Sequence, residues 1–207
     1  MSCKYVIGSG PTLAHAVAAW REHDPGQRLH EVAVEPGAGR AALAAVLDAL
    51  DFADADAFVA IDAQHLNFHR LALVDALHER GVAMPPLVAA SALVNVAVTP
   101  GENSWIGPGA IVQHGCSIAG NVVIGAGAIV GAGAAIGASS WIDDGVVIGR
   151  AATIGAHVSL GLGVLVGHGV RIAEYCVIDR AGRIDKDVPA RTFLHASHAG
   201  PIVIVGH

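Results

Sequence analysis

From residue 106 to residue 184 an aliphatic side chain recurs at every sixth position. The run is Ile106, Val112, Ile118, Ile124, Val130, Ile136, Ile142, Ile148, Ile154, Leu160, Val166, Ile172, Ile178 and Ile184, fourteen in succession and all β-branched or Leu. The next residue is Gly, Ala or Asp at thirteen of these positions, with Gln113 the exception, and the residue four places on is small or Val throughout. A helix repeats at 3.6 residues and a strand at two, so neither gives a strict six. A hexapeptide β-helix does. Each hexad forms one flat face, three faces close a triangular coil of about 18 residues, and the repeated aliphatic side chain fills the axis. The axis is narrow, which explains the small partners. Fourteen hexads predict between four and five coils.

Residues 4–80 follow another rhythm. "KYVIG", "HEVAVE" and "AFVAID" read as strands, and "PTLAHAVAAWREHD", "GRAALAAVLDAL" and "HRLALVDALHERG" as helices that follow them. Strands alternating with helices predict a small, Rossmann-like parallel sheet of βαβ units. The expected organisation is an α/β domain over 1–84, a linker over 85–100, a parallel β-helix over 101–190 and a tail over 191–207. In that tail "PIVIVGH" reads as a short apolar strand covering the prism end or a neighbour's edge.

Composition narrows the function classes. A net charge of −6 disfavours general nucleic-acid binding. Cys3, Cys116 and Cys176 are scattered with no CxxC, which fits a reducing cytoplasm. "MSCKYVIGSG" has no signal-peptide pattern, and no run approaches about 18 apolar residues, so neither export nor a membrane span is expected.

An α/β domain followed by hexapeptide coils resembles the sugar O/N-acyltransferases of the sialic-acid acetyltransferase (NeuD) and UDP-amino-sugar, or bacillosamine, acetyltransferase (PglD) type. The resemblance covers nearly the whole chain, including "LNFHRLALVDALHERG" before the coils and "RIDKDVPARTF" after them. It implies a left-handed β-helix, an exception to the right-handed crossover rule. It also implies a homotrimer and acetyl-CoA or another acyl-CoA bound between neighbouring prisms. The implied acceptor is an amine or hydroxyl of a nucleotide-linked sugar. A lone prism exposes flat apolar faces, which gives trimerisation a physical motive of its own.

In that family the catalytic His follows a core residue by two positions, in a segment like Ser-Ser-aliphatic-Ile-acidic-His. The best match, Ser139-Ser140-Trp141-Ile142-Asp143-Asp144, puts Asp144 on the His position. A base that takes an amine or hydroxyl proton near neutrality suits imidazole better than a solvated carboxylate. His114 is likewise two past a core residue, five hexads earlier, and "QHGCSI" resembles the family's catalytic turn. His168 shares its column, three coils and about 14 Å away at the strand spacing, too far to share one proton. His157 stands in another column with Asn121, Ser139 and Tyr175, a polar stripe that lines a groove or faces water. The candidate bases are therefore His114, His157 and Asp144, each with an ordinary exposed turn as its alternative. Zinc chemistry needs three convergent histidines, two of them close in sequence, and no such spacing occurs here, so no metal is expected.

Gly8 and Gly10 lie between the first strand and the first helix, where backbone amides cradle phosphates, although Pro11, Thr12 and Leu13 interrupt the family's fuller glycine set. The resemblance puts an acidic residue at the end of the second strand against the nucleotide base, and Glu35 stands there. Arg171, Arg180, Arg183, Lys186 and Arg191 cluster toward the end of the prism and suit the phosphates of CoA. Trp105 and Trp141, each one before a core residue, should point outwards as groove or interface residues. Two functions follow: an acyl-CoA-dependent acyltransferase, or a non-catalytic trimer that keeps the prism as a binding or assembly scaffold.

Overall fold

The computed structural model describes residues 3–198 and 200–203. Strands β1 (Cys3–Gly8), β2 (Arg28–Ala33) and β3 (Ala55–Ala60) form a parallel sheet in the order β2-β1-β3. Three helices cover it: α1 (Gly10–His23), α2 (Arg40–Asp48) and α3 (Phe68–His78). Pro11 sits in the first turn of α1, where its missing N–H costs nothing. Leu13, Ala16, Val17 and Trp20 make the buried stripe of that helix. Leu43 and Leu47 of α2 pack with Leu73, Val74 and Leu77 of α3 on the other side of the sheet. Lys4 is buried, paired with Asp56 at 2.5 Å and 3.9 Å from the Trp20 ring centroid. Burial pulls its pKa below the usual lysine value, and Asp56 opposes that shift.

The second domain is a left-handed parallel β-helix of triangular section. Its first face stacks Leu87–Val88, Trp105–Ile106, Val123–Ile124, Trp141–Ile142, Ser159–Leu160, Val177–Asp179 and Thr192–His195. The second face holds Leu93–Val94, Ile111–Val112, Ile129–Val130, Val147–Ile148, Val164–Val166 and Gly182–Ile184. The third holds Ser117–Ile118, Ala135–Ile136, Thr153–Ile154 and Arg171–Ile172. Paired residues are 18 apart over most of the stack, as with Leu87 and Trp105 or Trp141 and Ser159. Thirteen of the fourteen repeated aliphatics are buried in the axis, and Ile184 is partly covered at its end.

The stack runs past both expected edges. Residues 85–100, expected as a linker, already supply the first two rungs at Leu87–Val88 and Leu93–Val94. In the expected tail, Thr192–His195 continues the first face, and Ile202–Val203 adds to it antiparallel. The last four residues of "PIVIVGH" lie outside the described residues.

The three corners differ in a way that fixes the domain arrangement. From Asn103 to Tyr175 the hexad turns each place one residue in the left-handed region. After the first face that residue is Gly (Gly109, Gly127, Gly145, Gly163), and after the second it is Gly115, Gly133, Ala151 and Gly169. After the third face it is Asn103, Asn121, Ser139, His157 and Tyr175, with φ between 49° and 59°. These side chains accept a backbone conformation that glycine would take freely because they bind the α/β domain. Asn103 Oδ1 accepts the Val59 N–H at 2.7 Å, Asn103 Nδ2 donates to Asn121 Oδ1 at 2.9 Å, and Asn121 Nδ2 donates to Ser139 Oγ at 3.0 Å. Asn67 Nδ2 donates to Ser139 O at 2.8 Å. The first face meets α1 through a shared core in which Leu87, Trp105 and Val123 join Leu13, Trp20 and Phe58.

Candidate active site

A cavity of about 380 Å³ opens where the start of α1 faces the first face of the prism. Thr12 and His15 line one wall, and Trp105 and Trp141 line the other. Asp143 and Asp144 stand on the adjoining corner. The tryptophans point away from the axis as their slot requires, but Trp105 is only 6% exposed. His15, at 4.9 Å between ring centroids, and Phe58, at 6.2 Å, pack against it. Asp144 Oδ1 accepts the Ala126 N–H at 2.6 Å, a bond that ties neighbouring coils.

Each of the three candidate bases stands on a different corner. Asp144 follows the first face and lines the cavity. His114 follows the second face and is exposed, and its ring has no hydrogen-bond partner among the described residues. His157 follows the third face and is buried in the domain joint. Its Nδ1–H donates to Leu66 O at 2.8 Å, and its ring stacks on Phe68 at 4.5 Å and Tyr175 at 5.3 Å. The polar stripe of His157, Asn121 and Ser139, expected to line a groove or face water, instead forms the seam with the α/β domain. Arg70 of α3 is buried in the same seam, donates to Asn121 O and lies 5.5 Å from the Trp141 ring centroid. Burial alone lowers its pKa to about 9.

The glycine turn divides by role. A Cβ on Gly8 would lie 1.8 Å from Ala60 O, so Gly8 permits the close β1–β3 approach. Gly10, at φ 58°, joins Ser9, Glu35 and Pro36 around a second cavity of about 270 Å³. Of the basic cluster, Arg180, Arg183 and Lys186 share a third cavity of about 410 Å³ at the prism end. Asp185 and Asp187 line it too, and Arg183 pairs with Asp185 at 2.5 Å. Arg171 and Arg191 are exposed and lie outside it. Thr12 and His15 carried no signal in the sequence beyond following the glycine turn. Among the described residues no three His, Cys, Asp or Glu side chains gather to hold a metal ion. No described helix is long and apolar enough to cross a membrane.

Residues 101–132 match the family model described as bacterial transferase hexapeptide (six repeats). The matched residues lie within the prism and include the rungs from Trp105–Ile106 to Ile129–Val130. Among curated proteins none matches the sequence significantly. Solved structures share the fold of both domains together with the hexapeptide prism. The acetyltransferase domain of PglB from Neisseria gonorrhoeae is 18% identical over 96% of this chain and 99% of its own, with a TM-score of 0.79. PerB from Caulobacter crescentus, in complex with CoA and GDP-perosamine, is 20% identical over 98% of each chain, with a TM-score of 0.70. The PglB domain in complex with acetyl coenzyme A also matches, at a TM-score of 0.64. The chain thus has the fold of these sugar acetyltransferases, a small parallel sheet with helices followed by the hexapeptide prism.

Proposed function

We propose that this chain is an acyl-CoA-dependent acyltransferase. In this reading it moves an acetyl or related acyl group to an amine or hydroxyl of a nucleotide-linked sugar, as a cytoplasmic homotrimer. The observation that carries the reading is the end-to-end match, across both domains, to acetyltransferases solved with acetyl coenzyme A or with CoA and GDP-perosamine.

The outward side of the second face supports assembly. Leu93, Ile111, Ile129, Val147 and Leu165 form an aliphatic ladder there, with Leu93 66% and Leu165 42% exposed. Apolar side chains aligned along one flat face favour association with another copy. His114 lies in the turn that leaves this face, so a neighbouring prism packed on the ladder would meet it. The cavity with Asp143 and Asp144 lies off another corner, so the site is read as completed between copies.

In the proposed reaction the acceptor nitrogen or oxygen attacks the thioester carbonyl carbon while His114 Nε2 or Nδ1 takes its proton. The C–S bond then breaks, the CoA sulfur leaves as thiolate and takes up the proton, and no acyl-enzyme forms. Arg180, Arg183 and Lys186 would hold the CoA phosphates, with Arg171 and Arg191 nearby in sequence as further cations. Gly10 and Glu35 would hold the nucleotide. The test is thiol release from acetyl-CoA with a panel of nucleotide-linked amino sugars. Turnover that disappears in His114→Ala supports the reading. Acetyl-CoA binding without turnover on any acceptor would favour the non-catalytic scaffold.

A further inference from the structure

At the prism end the cavity of about 410 Å³ is built from two unlike pieces. Its floor is the last stretch of the axis, Ile184, Val188 and Leu194, and one wall is Pro201 and Val203. That wall belongs to the strand Ile202–Val203, which turns back on Thr192–Phe193 as an antiparallel partner, whereas the coils pair in parallel. Ile202 and Val203 are 42% and 47% exposed although both are apolar, so the strand buries little of its own surface against the prism. Side chains alternate across a strand. The register sets Val203 opposite Thr192, which lines the cavity, and Ile202 opposite Phe193, which does not. Val203 therefore faces the cavity and Ile202 the other side. The rim is cationic. Arg183 pairs with Asp185 at 2.5 Å, and Asp187 Oδ1 accepts the Arg171 N–H at 2.8 Å, so both carboxylates on the rim are engaged. Arg180 and Lys186 have no ion-pair partner among the described residues. An apolar floor and wall beneath two unpaired cations suit a flat ring that carries phosphate.

We propose that the C-terminal strand Ile202–Val203 is a donor-selecting wall. The adenine ring of acyl-CoA packs against Pro201 and Val203, and the phosphates beside it lie on Arg180 and Lys186. The strand follows the last coil, so recognition at this end is carried by an element added to the prism and not by the hexapeptide repeat. A donor without the nucleotide, such as an acyl pantetheine, gains nothing from the wall. That the ligand is the acyl donor rests on the acyltransferase reading; the dependence of nucleotide binding on Val203 does not.

The experiment titrates acetyl-CoA, adenosine 3′,5′-bisphosphate and acetyl pantetheine into the full chain by calorimetry. The same titrations are run on Val203→Ser, on Ile202→Ser and on a chain ended after Gly200, with circular dichroism and thermal midpoints recorded alongside. Ending the chain after Gly200 should weaken acetyl-CoA and the bisphosphate about tenfold and leave acetyl pantetheine unchanged. Val203→Ser, at an exposed position with little folding burden, should weaken the same two ligands by about threefold or more, and Ile202→Ser should change neither. A strand that merely capped the axis would lower the thermal midpoint on truncation and leave every affinity as it was, which would overturn the inference. Equal losses in Val203→Ser and Ile202→Ser, or no bisphosphate binding by the full chain, would also overturn it. Bisphosphate binding that depends on Val203, without thiol release from acetyl-CoA on any acceptor, upholds the wall and counts against the acyltransferase reading alone. Turnover of acetyl-CoA indifferent to the truncation does the reverse.

Discussion

Asn103 and Val59 are hydrogen-bonded twice across the two domains: Asn103 Oδ1 accepts the Val59 N–H at 2.7 Å, and Asn103 Nδ2 donates to Val59 O at 3.4 Å. Strand β3 is an edge of the small sheet, and an open edge invites wrong pairing. With the Ala57 N–H, which donates to Ala83 O at 2.9 Å, this prism side chain covers that edge and helps fix how the α/β domain sits on the hexapeptide stack. Asn103→Gly preserves the left-handed turn but leaves the buried Val59 amide unpaired. It should cost about 1–3 kcal/mol in denaturant unfolding and raise hydrogen exchange at Val59.

The glycines of the prism separate by what a methyl group would meet. A Cβ at Gly137 would lie 2.6 Å from backbone atoms of Gly155 and Ala156 on the next coil. At Gly127 it would meet nothing within 4 Å, and only the φ of 64° opposes it. Gly127→Ala should cost roughly 1–2 kcal/mol from the left-handed conformation. Gly137→Ala must push two coils apart and should lower the unfolding midpoint further. Thermal scans of the two variants side by side check the order.

Much of this was legible in the sequence, for a physical reason. The axis of the prism accepts one aliphatic residue per hexad, so Ile106 through Ile184 record the fold directly in their spacing. The first rungs were missed because Val88 and Val94 are followed at the next core slot by Pro100, which breaks the aliphatic pattern. The role of His157 was not legible either. Its partners Leu66 and Phe68 lie about ninety residues earlier, and nothing local to "IGAHVS" reports a stack against another domain. The packing demand on Gly8 was not legible, because Ala60, which a Cβ there would meet, stands on a strand far along the chain. The cavity joins Thr12 and His15 to Asp143 and Asp144 only through tertiary docking.

The aliphatic ladder on the second face gives a prediction about assembly. Ile129→Lys or Leu165→Glu places a charge in the middle of the apolar surface that another copy would cover. Light scattering after size exclusion should then move from the mass of the proposed trimer toward that of a monomer. The axial residues Val130 and Val166 remain in place, so circular dichroism should be unchanged.

The two proposed roles around the reaction separate kinetically. His114→Ala should lower kcat about 10²–10⁴-fold, the range lost with a positioned general base, with little change in acetyl-CoA affinity. Arg183→Ala should act mainly on KM for acetyl-CoA, because its guanidinium is proposed to hold the CoA phosphates. Steady-state kinetics with each substrate varied in turn distinguishes the two.

Calorimetric titration of the full chain with acetyl-CoA tests the central claim most directly. The account predicts saturable binding of one acetyl-CoA per chain, weakened about tenfold or more when Arg180, Arg183 and Lys186 are replaced together. A flat titration, with no heat above dilution for the intact protein, would contradict it.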